Sequence, residues 1–208
     1  MKFKKLLSAM FVAGAACSAN AGVVFSEGFD SVAGLAGAGW AQVNASVIAG
    51  NPYFQGNPGV FSSFTGAANS YVGANFLSGS QTISNWLMTP TLTMSGGAMV
   101  DFVVRTAGGG FLDTVQVWLS SNGASTNVAD FTTLLGTYSS STDQGWIAQN
   151  YRMNLVGQGR IGFRYFVADA TIDGNYIGID NLAVVPEPAS LALVALALVG
   201  AAAVRRRA

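Results

Sequence analysis

Histidine is absent from this 208-residue chain, cysteine occurs once, and lysine is confined to positions 2, 4 and 5. Without histidine there is no Ser-His-Asp triad, no Cys-His dyad and no imidazole-ligated zinc, iron or copper. A single cysteine excludes a disulfide framework and any cysteine-rich metal or iron–sulfur site. Charge is scarce, at 10% of residues, against roughly a quarter in an ordinary soluble domain. Gly108-Gly109-Gly110 lacks the Lys-Ser/Thr that would make it a phosphate loop. The length allows one domain with a real core.

What is present begins with two terminal signals. Lys2, Lys4 and Lys5 precede the short apolar run 6–16, and Ala19-Asn20-Ala21 is an A-x-A site. This is the layout of a secretory signal peptide over 1–21, cut after Ala21. It implies the Sec translocon and a signal peptidase as partners, and it removes Cys17 with the leader. At the other end Pro186-Glu187-Pro188 is followed by the apolar run 189–204 and then Arg205-Arg206-Arg207. That run is near the lower limit of about 17 to 25 residues for a spanning helix. The three arginines act as a stop-transfer cluster that stays cytoplasmic, so a single transmembrane sorting helix is expected.

The tripeptide, short span and arginine cluster over 186–208 resemble the PEP-CTERM sorting signal of exopolysaccharide-producing Gram-negative bacteria. The resemblance implies an exosortase as partner, transient anchoring in the inner membrane through 189–204, and delivery to the envelope, outer surface or matrix. It specifies a route and no activity.

Between the ends, residues 22–185 carry four arginines against Glu27 and eight aspartates, a net of minus five masked in the whole chain by its termini. An acidic domain without lysine is unsuited to nucleic acid, whose phosphates need clustered positive charge. The apolar periodicity is two. Val115, Val117 and Leu119 alternate with polar positions and Trp118; Ile147 to Leu155 and Ile161 to Val167 form two further runs, the second with Arg160, Gly162 and Arg164 opposite its apolar face. The stretches 100–104 and 176–184 read as strands. Ser95-Gly96-Gly97, Gly108-Gly109-Gly110, 120–127 and 139–145 read as turns. No sustained helical period and no fixed repeat occur, so the expected fold is all-β, a jelly-roll-like antiparallel sandwich.

Three landmarks extend this. Phe25-Ser26-Glu27-Gly28-Phe29-Asp30 opens the domain, Asn85-Trp86-Leu87-Met88-Thr89-Pro90 lies mid-chain, and Ile177-Gly178-Ile179-Asp180-Asn181 closes it. Their order is similar to that of the choice-of-anchor J family, related to cleaved adhesin and MAM domains. The resemblance implies a jelly roll whose first and last strands adjoin, and relatives that often bind calcium and sometimes glycans.

If those strands adjoin, Glu27, Asp30, Asp180 and Asn181 converge as oxygen ligands for a structural Ca2+; the alternative is that Asp180 and Asn181 only cap a strand and bind backbone amides. Asp169 to Asn175, with Asp180 eleven positions after Asp169, echoes a calcium loop, but Thr171 departs from that pattern. A hairpin turn through Asp173-Gly174-Asn175 is the favoured reading there. Trp118, on the polar side of its strand, and Trp146, after a polar loop, are the glycan-stacking candidates, although large aromatics more often fill a core. Scattered threonines form no regular ice-binding array. Asp101 and Asp113 are the only nominees for carboxylate chemistry, and no spacing pairs them. The expected function is therefore a non-catalytic exported surface or matrix protein, adhesive or structural. The alternative is a calcium-assisted module binding the cell's own exopolysaccharide.

Overall fold

The computed structural model describes residues 22–187. These form strands β1 (Phe25–Glu27), β2 (Ala41–Asn44), β3 (Ile48–Ala49), β4 (Phe54–Gln55), β5 (Val72–Asn75), β6 (Gly79–Ser80), β7 (Ile83–Met88), β8 (Leu92–Thr106), β9 (Asp113–Ser120), β10 (Thr133–Ser140), β11 (Ile147–Val167) and β12 (Tyr176–Pro186). Helix is limited, among the described residues, to three short 3-10 turns. None is long and apolar enough to cross a membrane; the expected span at 189–204, the arginine cluster and the leader with Ala19 and Ala21 lie outside the described residues.

All pairings are antiparallel, and β11 belongs to two sheets. Its residues 147–159 pair with β8, which pairs with β12, and β12 in turn borders β5 and β1. Its residues 160–167 lie between β9 and β7, flanked by β10 and β2. The first sheet is thus β11–β8–β12–β5–β4 with β1 beside β12, and the second is β10–β9–β11–β7–β2.

Period-two alternation turns one side of each sheet toward the other. Val100, Phe102, Val104, Ile177 and Ile179 of the first sheet meet Val115, Val117, Ile161, Phe163 and Tyr165 of the second in one buried cluster. The Phe102 and Phe163 rings meet edge-on at 5.2 Å. Burying aliphatic and aromatic side chains of this size contributes about 1.5–3 kcal/mol each, so this layer holds the jelly-roll sandwich together.

The glycines behave differently from the sequence expectation. Ser95-Gly96-Gly97 is no turn but the middle of β8, in register with Asn154 to Val156. The two runs in β11 are one strand, because the glycines between them let the backbone continue from one sheet into the other. Gly157 takes φ +95°, and a Cβ on Gly159 would sit 2.2 Å from the Ser120 carbonyl oxygen. The turn at 173–175 is not a hairpin either: β11 enters it from the second sheet and β12 leaves it in the first. Arg160 secures the opposite end, donating from Nε to the Ala124 carbonyl and from Nη1 to those of Gly39 and Thr89.

Candidate functional site

The outward faces of the two sheets carry the candidate residues. On the first sheet these are Tyr71, just before β5, Gly73 of β5, Arg105 of β8, and Tyr176, Gly178 and Asp180 of β12. Loop 56–70 covers them. Gly178 makes the cover possible, since a Cβ there would lie 2.8–2.9 Å from Phe61, Trp146 and Tyr71. Trp146 closes the cluster, with its ring edge-on to Phe61 and Tyr71 at 5.4 and 5.5 Å and its Nε1 donating to the Ser62 carbonyl at 3.0 Å. The Tyr71 hydroxyl accepts from the Asn57 amide and lies 3.0 Å from the Tyr176 hydroxyl. Burial pushes the pKa of Tyr71 and Tyr176 up.

Asp180 fixes the loop from beneath. Its Oδ2 accepts the amides of Phe64 and Thr65 at 2.9 and 3.1 Å, and its Oδ1 accepts that of Asn181 at 2.6 Å. Asn181 stands at φ +53° where the β12–β8 register shifts. It is a bulge residue of a type that tolerates the left-handed region. Ile179-Asp180-Asn181 therefore reads as core residue, loop clamp and bulge.

The expected calcium set is only partly assembled. Asp30 lies beside the loop, with its Oδ1 3.3 Å from where a Gly66 Cβ would be. Burial raises the Asp180 pKa, and the Asp30 charge adds to the rise. Glu27 pairs with Leu182, on the core side of the β1–β12 ladder, and its Oε1 accepts the Phe29 amide. Among the described residues no three acidic side chains group as a cation site, and three amides engage Asp180. The second candidate divides as well. Asp169 Oδ1 takes the Thr171 amide and hydroxyl, Asp173 Oδ1 takes the Leu112 amide, and Asp180 is held by loop 56–70.

The outer face of the second sheet is partly covered: Ser84, Trp86 and Met88 are buried, whereas Gln116, Trp118, Arg164 and Phe166 are half-buried. Cross-strand register aligns Thr137, Gln116, Arg164, Trp86 and Val43 in one row, with Ser139, Thr114, Phe166 and Ser84 on one side and Leu134, Trp118, Gly162, Met88 and Ala41 on the other. The turn 128–131 covers only the Gly162 end, where Phe131 and Trp86 meet at 5.5 Å. Arg164 lies over the Phe166 ring at 4.3 Å and the Trp86 ring at 5.6 Å. Its Nε donates to Ser84 Oγ at 2.8 Å and its Nη1 to Gln116 Oε1 at 3.1 Å. Trp118 is half-buried, and its Nε1 shares Gln116 Oε1 at 3.3 Å.

The two aspartates nominated for catalysis lie on different sheets, Asp101 on β8 of the first and Asp113 on β9 of the second. Asp101 faces outward beside Asn150, and Asp113 is buried with its Oδ1 accepting the Tyr165 hydroxyl and the Asn175 amide. Burial raises the Asp113 pKa. Glu187 of the sorting tripeptide is held by Arg152 through both carboxylate oxygens, and its amide donates to the Gly97 carbonyl. The sequence reading missed Gln116, Trp86, Arg105 and Arg152. Alternation placed Arg164 on an outward face but named no partner for it.

Residues 184–207 match the PEP-CTERM protein-sorting motif, so the chain carries a signal of exported surface proteins that implies processing by exosortase. No curated protein matches the chain. Among solved structures it is similar to the K1 cleaved adhesin domain of Lys-gingipain from Porphyromonas gingivalis W83, with a TM-score of 0.62 and 20% identity over 80% of this chain and 99% of that one. The K3 domain of the same protein gives a TM-score of 0.60 and 21% identity over 79% of this chain and 98% of that one. At such identities the likeness establishes the fold.

Proposed function

We propose that this chain is a non-catalytic, exported surface or matrix protein, and that its sandwich is adhesive through carbohydrate. The observation that carries the carbohydrate reading is the outer face of the second sheet. There an indole, a guanidinium and a side-chain amide stand in adjoining register positions, each half-buried, with the indole packed at the edge of the turn 128–131. Flat aromatic faces take sugar rings while amides and guanidinium groups take hydroxyls, so the lattice suits a polysaccharide laid across strands. Trp146 belongs to the covered face and has a packing role. The adhesin-like fold and the sorting motif support this reading, and the order of the three sequence landmarks supports membership of the choice-of-anchor J family.

The reading is tested with a glycan array probed with the protein recovered from the cell surface, beside a Trp118→Ala variant. Binding that falls at least tenfold in the variant, with unchanged melting, is the expected result. An array flat for the wild-type protein removes the carbohydrate reading and leaves a purely structural one. Intact-mass measurement of the same material fixes both cleavage points and any attached anchor.

Calcium at the Asp30–Asp180 corner is a separate proposal. It rests on two like charges lying close beside loop 56–70, which a cation with added backbone carbonyls would relieve. Under it, Ca2+ raises the melting temperature above a Mg2+ control and chelator reverses the gain; identical melting in all three solutions rejects it.

A further inference from the structure

The arginines of the two outer faces differ in their neutralisation. Arg105, over the Phe61 ring at 4.6 Å, is paired with Asp143 through Nε and Nη2 at 3.0 and 2.7 Å. Arg164 is held over its own rings in a similar way, but among the described residues no carboxylate lies within ion-pairing distance of it. Its recorded partners are neutral oxygens on Nε and Nη1, which leaves Nη2 with none among the described residues. The acids are segregated too. The first sheet carries Glu27, Asp101 and Asp180, whereas the strand segments of the second carry only Asp113, which faces the core. Asp130, on the turn at the covered end, is bound by Asn122 and Ser125. An acidic domain thus keeps one outer face free of negative charge around a fixed, half-buried guanidinium.

We infer that the outer face of the second sheet is selective for an acidic polysaccharide, with a sugar carboxylate received by Arg164 and the sugar ring beside it lying against Trp118. The inference rests on the carbohydrate reading of this face and adds the class of sugar. The physical basis is that a partly desolvated guanidinium forms its strongest hydrogen bonds with a planar carboxylate. Phe166 and Trp86 hold its plane in position, so little rotamer freedom is lost on binding. Thr137, in the row of Arg164, and Thr114 and Ser139, in the row beside it, add hydroxyls for the remaining sugar oxygens.

The test measures affinity for a panel of uronate polymers, namely polygalacturonate, alginate and hyaluronan, each beside its carboxyl-reduced counterpart. The proteins are the exported wild type, Arg164→Gln and Arg164→Lys. The wild type is expected to bind at least one acid form about tenfold more tightly than its reduced partner. Arg164→Gln binds both forms alike, and Arg164→Lys retains part of the preference because it keeps the charge without the fork. Arg152→Gln, an exposed arginine on the first sheet, leaves the preference unchanged, and melting curves verify that every variant folds. If the wild type binds acid and reduced forms equally, the inference is overturned and the carbohydrate reading stands. If Arg164→Gln keeps the full preference, Arg164 is not the receiving group and the inference is likewise overturned. Absence of binding to every member of the panel and to the wider array removes both.

Discussion

The two outer faces are built from similar residues and are covered to different extents. Each has a glycine, a tryptophan and an arginine held over at least one aromatic ring. On the first sheet a fifteen-residue loop, 56–70, closes over them, with its amides on Asp180, its phenylalanine in the Gly178 gap and the charge of Arg105 neutralised by Asp143. On the second sheet only a short turn covers one end, and Arg164 has no carboxylate partner among the described residues. Residue type alone therefore does not decide whether such a face is closed over. What decides is whether a distant segment supplies the partners first.

That contrast is broken most strongly at Asp180. Asp180→Ala leaves three amides without their acceptor and costs about 2–3 kcal/mol, a fall of roughly 4–12 °C in melting temperature for a domain of this size. The fluorescence of Trp146 shifts red as its cover loosens, while glycan binding by the second sheet is retained. Next comes a matched pair of glycine substitutions. Gly178→Ala drives a methyl into Phe61, Trp146 and Tyr71, whereas Gly162→Ala meets only ring edges of Phe131 at 2.9 Å and Trp86 at 3.1 Å. Both overpack, by about 1–3 kcal/mol. Denaturant titration is expected to find Gly178→Ala the more destabilised, and binding assays to find only Gly162→Ala weakened.

The smallest effect is at Asp113. Burial raises its folded-state pKa above the ordinary 3.8, so the fold prefers the neutral acid. Its contribution to stability rises as pH falls through the raised value and levels off below the unfolded value. Asp113→Asn keeps a carbonyl for Tyr165 and Asn175, so melting at pH 7 should be unchanged or slightly higher. The part of the acid-side slope that belongs to this group should vanish. A large loss at pH 7 would mean that the ionised carboxylate itself is required.

Much of this architecture was legible in the chain. Alternation at Val115, Val117 and Leu119 assigns the core side of β9 correctly, and the same rule puts Trp118 and Arg164 outside. The glycines misled because a glycine reads locally as a break. At Gly97 it continues the ladder beneath the Glu187 carboxylate, and at Gly157 and Gly159 it carries β11 between sheets. For Asp180 the amide-binding alternative matches the observed geometry, yet nothing local identifies loop 56–70 as the donor, because Phe64 and Thr65 are more than a hundred residues away. Distance also hid the difference between the arginines: Asp143 follows Arg105 by 38 positions, and periodicity carries no information about such a pairing.

The closing strand has a mechanical consequence. β12 stays in register to Pro186 opposite Ala98, and Arg152 grips Glu187, so Pro188 alone separates the sheet from the apolar run that begins at Ala189. Completing the sandwich and handing over the tripeptide draw on the same residues. An enzyme that grips Pro186 and Glu187 must therefore peel back the end of a finished sheet or reach the chain before that end has zipped.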